Sequence, residues 1–347
     1  MVVAATERAE RTPSPAPESV TQCQHPIPTL QDVYRARRVV DRYLARTPLI
    51  NPPALSARLG CDLFLKCENL QPIGAFKVRG GINLLSDLTP DEREWGVITA
   101  STGNHGQSIA YAAREFGARA IIYVPEGANP IKVAAMERLG AEVVFHGIDF
   151  DECRAEAEAR AERVGAYFVH HANEPRLVAG VATYALEILE AIPDLDVLIV
   201  PTGGGSGVSG SLIAGKGINP SLRVVAVQAT GAPVMHDSWR QRRLLSYDQM
   251  DTFAEGMATR VAFDLPMRIL WEHLDDFRLV SDAEIRRAIL VILETARTLA
   301  EGAGAAAIAA AYQMRDELAG KQVAAVVSGG NLTLDALRCA LDEEQPW

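Results

Sequence analysis

Two hydrophobic periods alternate along this chain, and the switch between them organises it. From about Thr29, the apolar residues Leu30, Val33, Ala36 and Val40 recur at helical spacing. Asp62–Lys66 reads as a strand, followed by a glycine-containing loop at Gln71–Gly74 and a helix from near Ala75 through Asn83. Beyond Trp95 the period alternates regularly. Strands are predicted at Gly96–Ala100, Ala120–Val124, Glu142–Phe145 and Tyr167–Val169, with helices at Gln107–Phe116, Lys132–Leu139 and about 150–164 between them. A larger pattern resumes with strand Val197–Val200, helix Val208–Gly215, and strands Arg223–Val227 and Ala324–Val327. Such alternation predicts an α/β fold of parallel twisted sheets with helices on both faces. Residues 231–275 are irregular and rich in Met, Trp, Arg and His, and are expected at the rim of a site.

The small β/α block interrupts the larger one, which predicts two domains. Residues 28–95 and 174–347 would form the large domain, and residues 96–173 a small mobile one. Residues 1–27, rich in Glu, Arg, Pro and Ser without the apolar stretch of a signal peptide, read as a disordered tail. In parallel sheets ligands bind beyond the carboxyl ends of the strands. Three loops follow strands here, at 101–106, 203–207 and 328–331, and are candidates to converge on one ligand.

Each loop carries its own chemistry. Gly203, Gly204, Gly205, Ser206 and Gly207 let backbone N–H groups crowd around an anion, and the helix that follows adds the positive end of its dipole. The sequence from Gly205 to Gly210 also matches the dinucleotide fingerprint G-x-G-x-x-G. That reading requires an acid at the end of the next strand, where this chain has Gln228. Ser101, Thr102, Gly103, Asn104 and His105 offer hydroxyl and backbone donors at a helix start, a receptor for a carboxylate. Lys77 lies in a Gly-Ala-Phe setting that suggests burial, and burial favours the neutral, nucleophilic amine. Ser328, closing a strand before two glycines, can point one hydroxyl at a ligand.

Together, Gly-Ala-Phe-Lys-Val-Arg-Gly at 74–80, Ser-Thr-Gly-Asn-His-Gly-Gln at 101–107, the Gly-Gly-Gly-Ser-Gly run and Ser-Gly-Gly-Asn at 328–331 resemble the fold-type II pyridoxal-phosphate (PLP) enzymes. The similarity is greatest to the threonine dehydratase and serine racemase branch, and covers about residues 28–340. The resemblance implies that the large domain binds PLP. Lys77 would hold the cofactor as a Schiff base and later remove the Cα proton. Phe76 would pack beside the cofactor, residues 203–207 would bind its phosphate, Asn104 its ring hydroxyl and Ser328 its pyridine nitrogen. Ser101, Thr102, Gly103 and His105 would receive the substrate carboxylate.

The implied reaction is dehydration and deamination of a β-hydroxy amino acid, L-threonine or L-serine, to a 2-oxo acid and ammonia. The alternatives are a bulkier β-hydroxy substrate, a β-replacement synthase or a racemase. Thr102, the second catalytic candidate, stands where the racemases use a smaller serine, and Gln228 where they use a metal-binding glutamate, so no metal is expected. Ser206 replaces the family's fourth cup glycine. The resemblance also implies a homodimer, and the short stretch after Asn331 implies a form without a regulatory domain.

Composition narrows the class further. The net charge of −10 argues against a nucleic-acid surface. No apolar run approaches the length of a membrane span. The cysteines are five, an odd number without any C-x-x-C pair, which points to free thiols in a reducing cytoplasm.

Overall fold

A computed structural model describes residues 13–16 and 25–347. Twelve strands occur among them: β1 (Ser14–Pro15), β2 (Leu49–Ile50), β3 (Asp62–Cys67), β4 (Val97–Ala100), β5 (Ala120–Val124), β6 (Glu142–Phe145), β7 (Tyr167–Phe168), β8 (Val197–Pro201), β9 (Arg223–Ala229), β10 (Leu245–Ser246), β11 (Asp276–Val280) and β12 (Gln322–Val327). A six-stranded sheet has the order β11-β9-β8-β12-β3-β2, and a four-stranded sheet the order β6-β5-β4-β7. Every pairing in both sheets is parallel except that of β2 with β3. The chain is thus an α/β protein, as its alternating pattern predicts.

The strand period explains why both sheets are covered on both faces. In β8, Val197 and Ile199 enter one apolar cluster while Leu198 and Val200 enter another. Val225 and Val227 of β9 and Val323 and Ala325 of β12 join the first; Val224, Ala226, Ala324 and Val326 join the second. Successive side chains of a strand point to opposite faces, so a central strand buried on both sides is apolar throughout. In the smaller sheet, Ile122 and Val124 face one cluster and Ile121 and Tyr123 the other.

The helix Gly302–Gln313 packs against the six-stranded sheet with ten of its residues buried. Its Ala-rich surface lets the backbone approach the strands closely. Within 231–275 the chain forms the helices Val234–Gln241 and Asp264–His273.

Part of the expected disordered tail has structure. Ser14–Pro15 pairs antiparallel with Leu245–Ser246, and the Ala16 N–H donates to the Leu244 carbonyl at 3.1 Å. The exposed edge of β10 supplies the hydrogen bonds, and Ala16 packs into a small cluster with Ala172 and Phe263. The remainder of that tail, residues 1–12 and 17–24, lies outside the described residues. Among the described residues, Cys61, Cys67, Cys153 and Cys339 are free, and no helix is long and apolar enough to cross a membrane.

Candidate active site

The carboxyl ends of β4, β8 and β12 open into one cavity of about 560 Å³, lined by Phe76, Lys77, Ser101–His105, Gly203–Gly207 and Ser328. Residues far apart in sequence meet there because each loop leaves a strand of a parallel sheet at the same end.

Lys77 is the first residue of the helix Lys77–Ser86. Its approach is clamped to the Ser328 loop: the Phe76 N–H donates to the Ser328 carbonyl at 3.0 Å, and the Gly330 N–H to the Gly74 carbonyl at 2.9 Å. Gly74 sits at φ +69°, a left-handed conformation that glycine adopts without strain. From the other side, the Ser108 hydroxyl donates to the Lys77 carbonyl at 2.6 Å. The Lys77 ammonium is desolvated, which pulls its pKa down from 10.5 to about 8.

This shift fixes a pH dependence. Between about pH 8 and 10.5 the unfolded chain binds the proton that the folded cofactor-free protein has released, so stability of that form rises with pH across this window. Capture of an aldehyde cofactor needs the neutral amine. Its rate is therefore expected to climb toward about pH 8 and level off above it. Stopped-flow absorbance after mixing cofactor-free protein with PLP measures this, and a rate independent of pH through that range would contradict the assignment.

The 203–207 loop forms a cup of bare backbone. A Cβ on Gly203 would overlap the Gly256 carbonyl oxygen. One on Gly205, which sits at φ +96°, would lie 2.6 Å from Pro266. The helix Ser206–Ile218 begins inside the cup, where the first N–H groups have no acceptor within the helix and favour an anion. This arrangement, with a desolvated, half-buried amine beside it, fits a phosphate-bearing aldehyde.

In the 101–105 loop, the Ser101 hydroxyl oxygen accepts the N–H groups of Gly103 (3.2 Å) and Gly106 (2.8 Å), which leaves its own proton to donate. Thr102 is exposed toward the cavity. The His105 ring is directed below the loop. Thr99 Oγ1 donates to the Val169 carbonyl at 2.8 Å, so its 3.0 Å contact with His105 Nε2 requires Nε2–H as the donor. Burial pushes the His105 pKa down to about 3, leaving a neutral ring. The group that His105 offers at the helix start is its backbone N–H.

Asn104 is fixed at both ends of its amide. Its Nδ2 donates to Glu301 Oε1 at 2.7 Å, and its Oδ1 accepts from Asn331 Nδ2 at 2.7 Å. One Nδ2 proton stays available. Ser328 is buried at the end of β12. Phe76 packs edge-on against Tyr184, with ring centroids 6.0 Å apart.

Two lining residues, Glu301 and His171, were not singled out by sequence reasoning. Glu301 is buried, and desolvation raises its pKa. A lone acid inside the alanine-rich stretch 300–311 was the available signal. His171 lines the wall beside Gly204 and stacks on His170 with centroids 5.0 Å apart. Arg260 is held by Asp149 (3.1 Å) and Asp151, and Lys132 ion-pairs with Glu255. These pairs join the four-stranded-sheet region to the 255–260 segment across the cavity mouth. Gln228 is fully buried; its Oε1 accepts the N–H groups of Met235 (3.1 Å) and His236 (3.2 Å) at the start of the helix Val234–Gln241. Its amide oxygen thus caps a helix.

Comparison with known proteins places this geometry in context. Residues 40–329 match the family described as "Pyridoxal-phosphate dependent enzyme". The chain is similar to an L-threonine ammonia-lyase of Thermotoga maritima, 40% identical over 309 residues that cover 89% of this chain and 77% of that protein. It is similar to the catabolic L-threonine dehydratase of Escherichia coli K12, 34% identical over 88% of this chain and 93% of that one. Among solved structures, the processed form of threonine deaminase isoform 2 from Solanum lycopersicum superposes with a TM-score of 0.87 at 28% identity, covering 99% of both chains. Maize serine racemase superposes with a TM-score of 0.85 at 30% identity, covering 91% of this chain and 97% of that one.

Proposed function

The chain belongs to the pyridoxal-phosphate dependent enzymes, and from that premise we propose that it is a lyase that dehydrates and deaminates L-threonine, with L-serine as a second substrate. The observation that carries the proposal is the half-buried, desolvated Lys77 amine sharing one cavity with the 203–207 glycine loop and the 101–105 loop. The similarity to L-threonine ammonia-lyases supports the choice of substrate.

In this reading Lys77 holds the cofactor covalently, residues 203–207 seat its phosphate, Asn104 addresses its ring hydroxyl and Ser328 its ring nitrogen. When bound, the cofactor supplies an electron sink for the pair left at Cα. Ser101, Thr102, Gly103 and the His105 backbone N–H orient the substrate carboxylate. The Lys77 amine, freed by the incoming amino group, takes the Cα proton. The β-hydroxyl leaves with its bonding pair and becomes water with the proton that Lys77 took from Cα, which returns the amine to its neutral form. The released enamine hydrolyses to a 2-oxo acid and ammonia.

The lining charges bear on the substrate side chain. Arg260 is paired with Asp149 and Asp151, Lys132 with Glu255, and Arg154 with Glu158 at 3.4 Å. Among the described residues, each of these cations already has a carboxylate. This favours a neutral β-substituent over one carrying a second carboxylate.

Purified PLP-loaded protein given L-threonine or L-serine should release 2-oxo acid and ammonia in equal amounts at a catalytic rate. Absence of both products, with the cofactor still bound, would move the reaction to a bulkier β-hydroxy amino acid or to β-replacement.

A further inference from the structure

The 203–207 cup carries a hydroxyl that a phosphate seat does not need. Its backbone N–H groups suffice for an anion, and a glycine at 206 would supply the same N–H. Yet Ser206 is almost completely buried, at 2% exposure, and its Oγ accepts a hydrogen bond from Lys77 Nζ at 2.9 Å. Ser206 is also the first residue of the helix Ser206–Ile218, so its backbone faces the anion site while its side chain faces the amine.

We propose that Ser206 is a positioning residue for the catalytic base: its hydroxyl holds the Lys77 amine after the substrate amino group has displaced it from the cofactor. The inference rests on the proposed reaction and adds a residue to it.

The physical argument starts from the freedom of a lysine. A released amine on a four-carbon stem has many rotamers, and proton abstraction requires it close to Cα with its lone pair aligned. Among the described residues Nζ makes no other side-chain hydrogen bond, and the Phe76 ring centroid lies 5.4 Å from it. In the observed direction the amine donates one N–H to Ser206. A neutral amine so held keeps its lone pair directed away from the serine and free to accept the Cα proton. Once Lys77 carries that proton, the same oxygen accepts from an ammonium, a stronger hydrogen bond than from the neutral amine. The serine thereby supports both states of the base in a site where burial disfavours the charged one. Because one residue contributes both the N–H to the cup and the hydroxyl to the base, a seated phosphate and a correctly held amine are mechanically linked.

The test compares Ser206→Gly, Ser206→Ala and Ser206→Thr with the unmodified enzyme. Glycine and alanine keep the backbone N–H, so PLP affinity, read by fluorescence titration, should change by no more than about threefold. For these two variants kcat on L-threonine should fall about tenfold, the effect of losing one hydrogen bond to a charged group, with KM little altered. The primary isotope effect with Cα-deuterated L-threonine should increase, as proton removal becomes rate-limiting. A readout independent of turnover is the pH dependence of Lys77 modification in the cofactor-free protein. Its midpoint should move below that of the unmodified protein when the hydroxyl is absent, since the ammonium loses its acceptor. Threonine, which restores a hydroxyl, should recover both kcat and the midpoint.

Unchanged kcat, isotope effect and midpoint in the glycine variant would overturn the proposal. So would a loss of PLP affinity that accounts for the whole loss of rate, because the serine would then serve the phosphate alone. If the unmodified enzyme itself fails to turn over threonine or serine, the reaction assignment falls, while the Lys77 midpoint still decides whether Ser206 holds the amine.

Discussion

Lys77→Ala is expected to abolish formation of 2-oxo acid, lowering the rate by on the order of 10⁴-fold or more, because in the proposed reaction it removes the covalent tether and the base together. Cofactor should still enter the 203–207 cup by its phosphate, but gel filtration should strip it. Borohydride reduction should no longer fix it to the peptide containing residue 77. Loss of activity through misfolding is not expected. The lysine is desolvated, and below about pH 8 the cofactor-free protein carries its charge at a cost. Alanine removes that cost, so the melting temperature of the cofactor-free variant at neutral pH should match or exceed that of the unmodified form. A Lys77→Ala enzyme with full turnover would refute the mechanism at its first step.

How much of this was legible in the chain depended on whether the signal was local. The cup and the loops after β4 and β12 are local, because glycines and small hydroxyl residues in succession after an apolar strand have few structural uses. The structure brings those segments into one cavity. The helix Gly302–Gln313 was not legible. Buried along all but its last two residues, it has no polar face, and a run of Ala, Gly and Ile lacks the period that marks a surface helix. Glu301 was missed with it: its partner Asn104 lies 197 residues away, and only folding brings the acid to that amide. His105 shows the converse. Its place in the cavity-lining loop was readable, but the direction of its ring depended on Thr99, which itself bonds the carbonyl beyond β7. Ser14–Pro15 was invisible for a third reason, since a proline-containing segment becomes a strand only against an edge that tertiary structure presents.

Arg79→Met is expected to cost about 3–5 kcal/mol of stability, the loss typical of breaking a buried ion pair from one side, and to lower the melting temperature by on the order of 5 °C or more. Arg79 lies two residues after Lys77, and its guanidinium uses all five N–H donors. Nε and Nη2 bond Glu68 at 2.7 and 2.8 Å, Nη2 and Nη1 bond Glu187 at 3.0 and 2.7 Å, and Nη1 bonds Thr183 at 3.2 Å. Lys66 completes the group, bonding Glu187 at 2.5 Å and the Thr47 carbonyl at 2.8 Å. All four charged side chains are buried, two of each sign. Removing Arg79 therefore leaves one uncompensated negative charge in the core. Lysine should not rescue it, because three donors on a point charge cannot serve two carboxylates and a hydroxyl. The pH dependence separates this from a packing defect. Burial by itself would raise the Glu68 carboxyl, and Arg79 with Lys66 reverses this and holds it below its ordinary value. That lowered carboxyl stabilises the fold above the unfolded pKa near 4.5, and the contribution is lost as pH falls through the folded value. In Arg79→Met an acid of the group can shed its charge by taking a proton, so the deficit against the unmodified protein should narrow as pH is lowered toward 5. Urea unfolding at several pH values measures the deficit, and a difference that stayed constant with pH would assign the loss to packing. A double change, Arg79→Met with Glu187→Gln, removes one charge of each sign and should recover part of the stability.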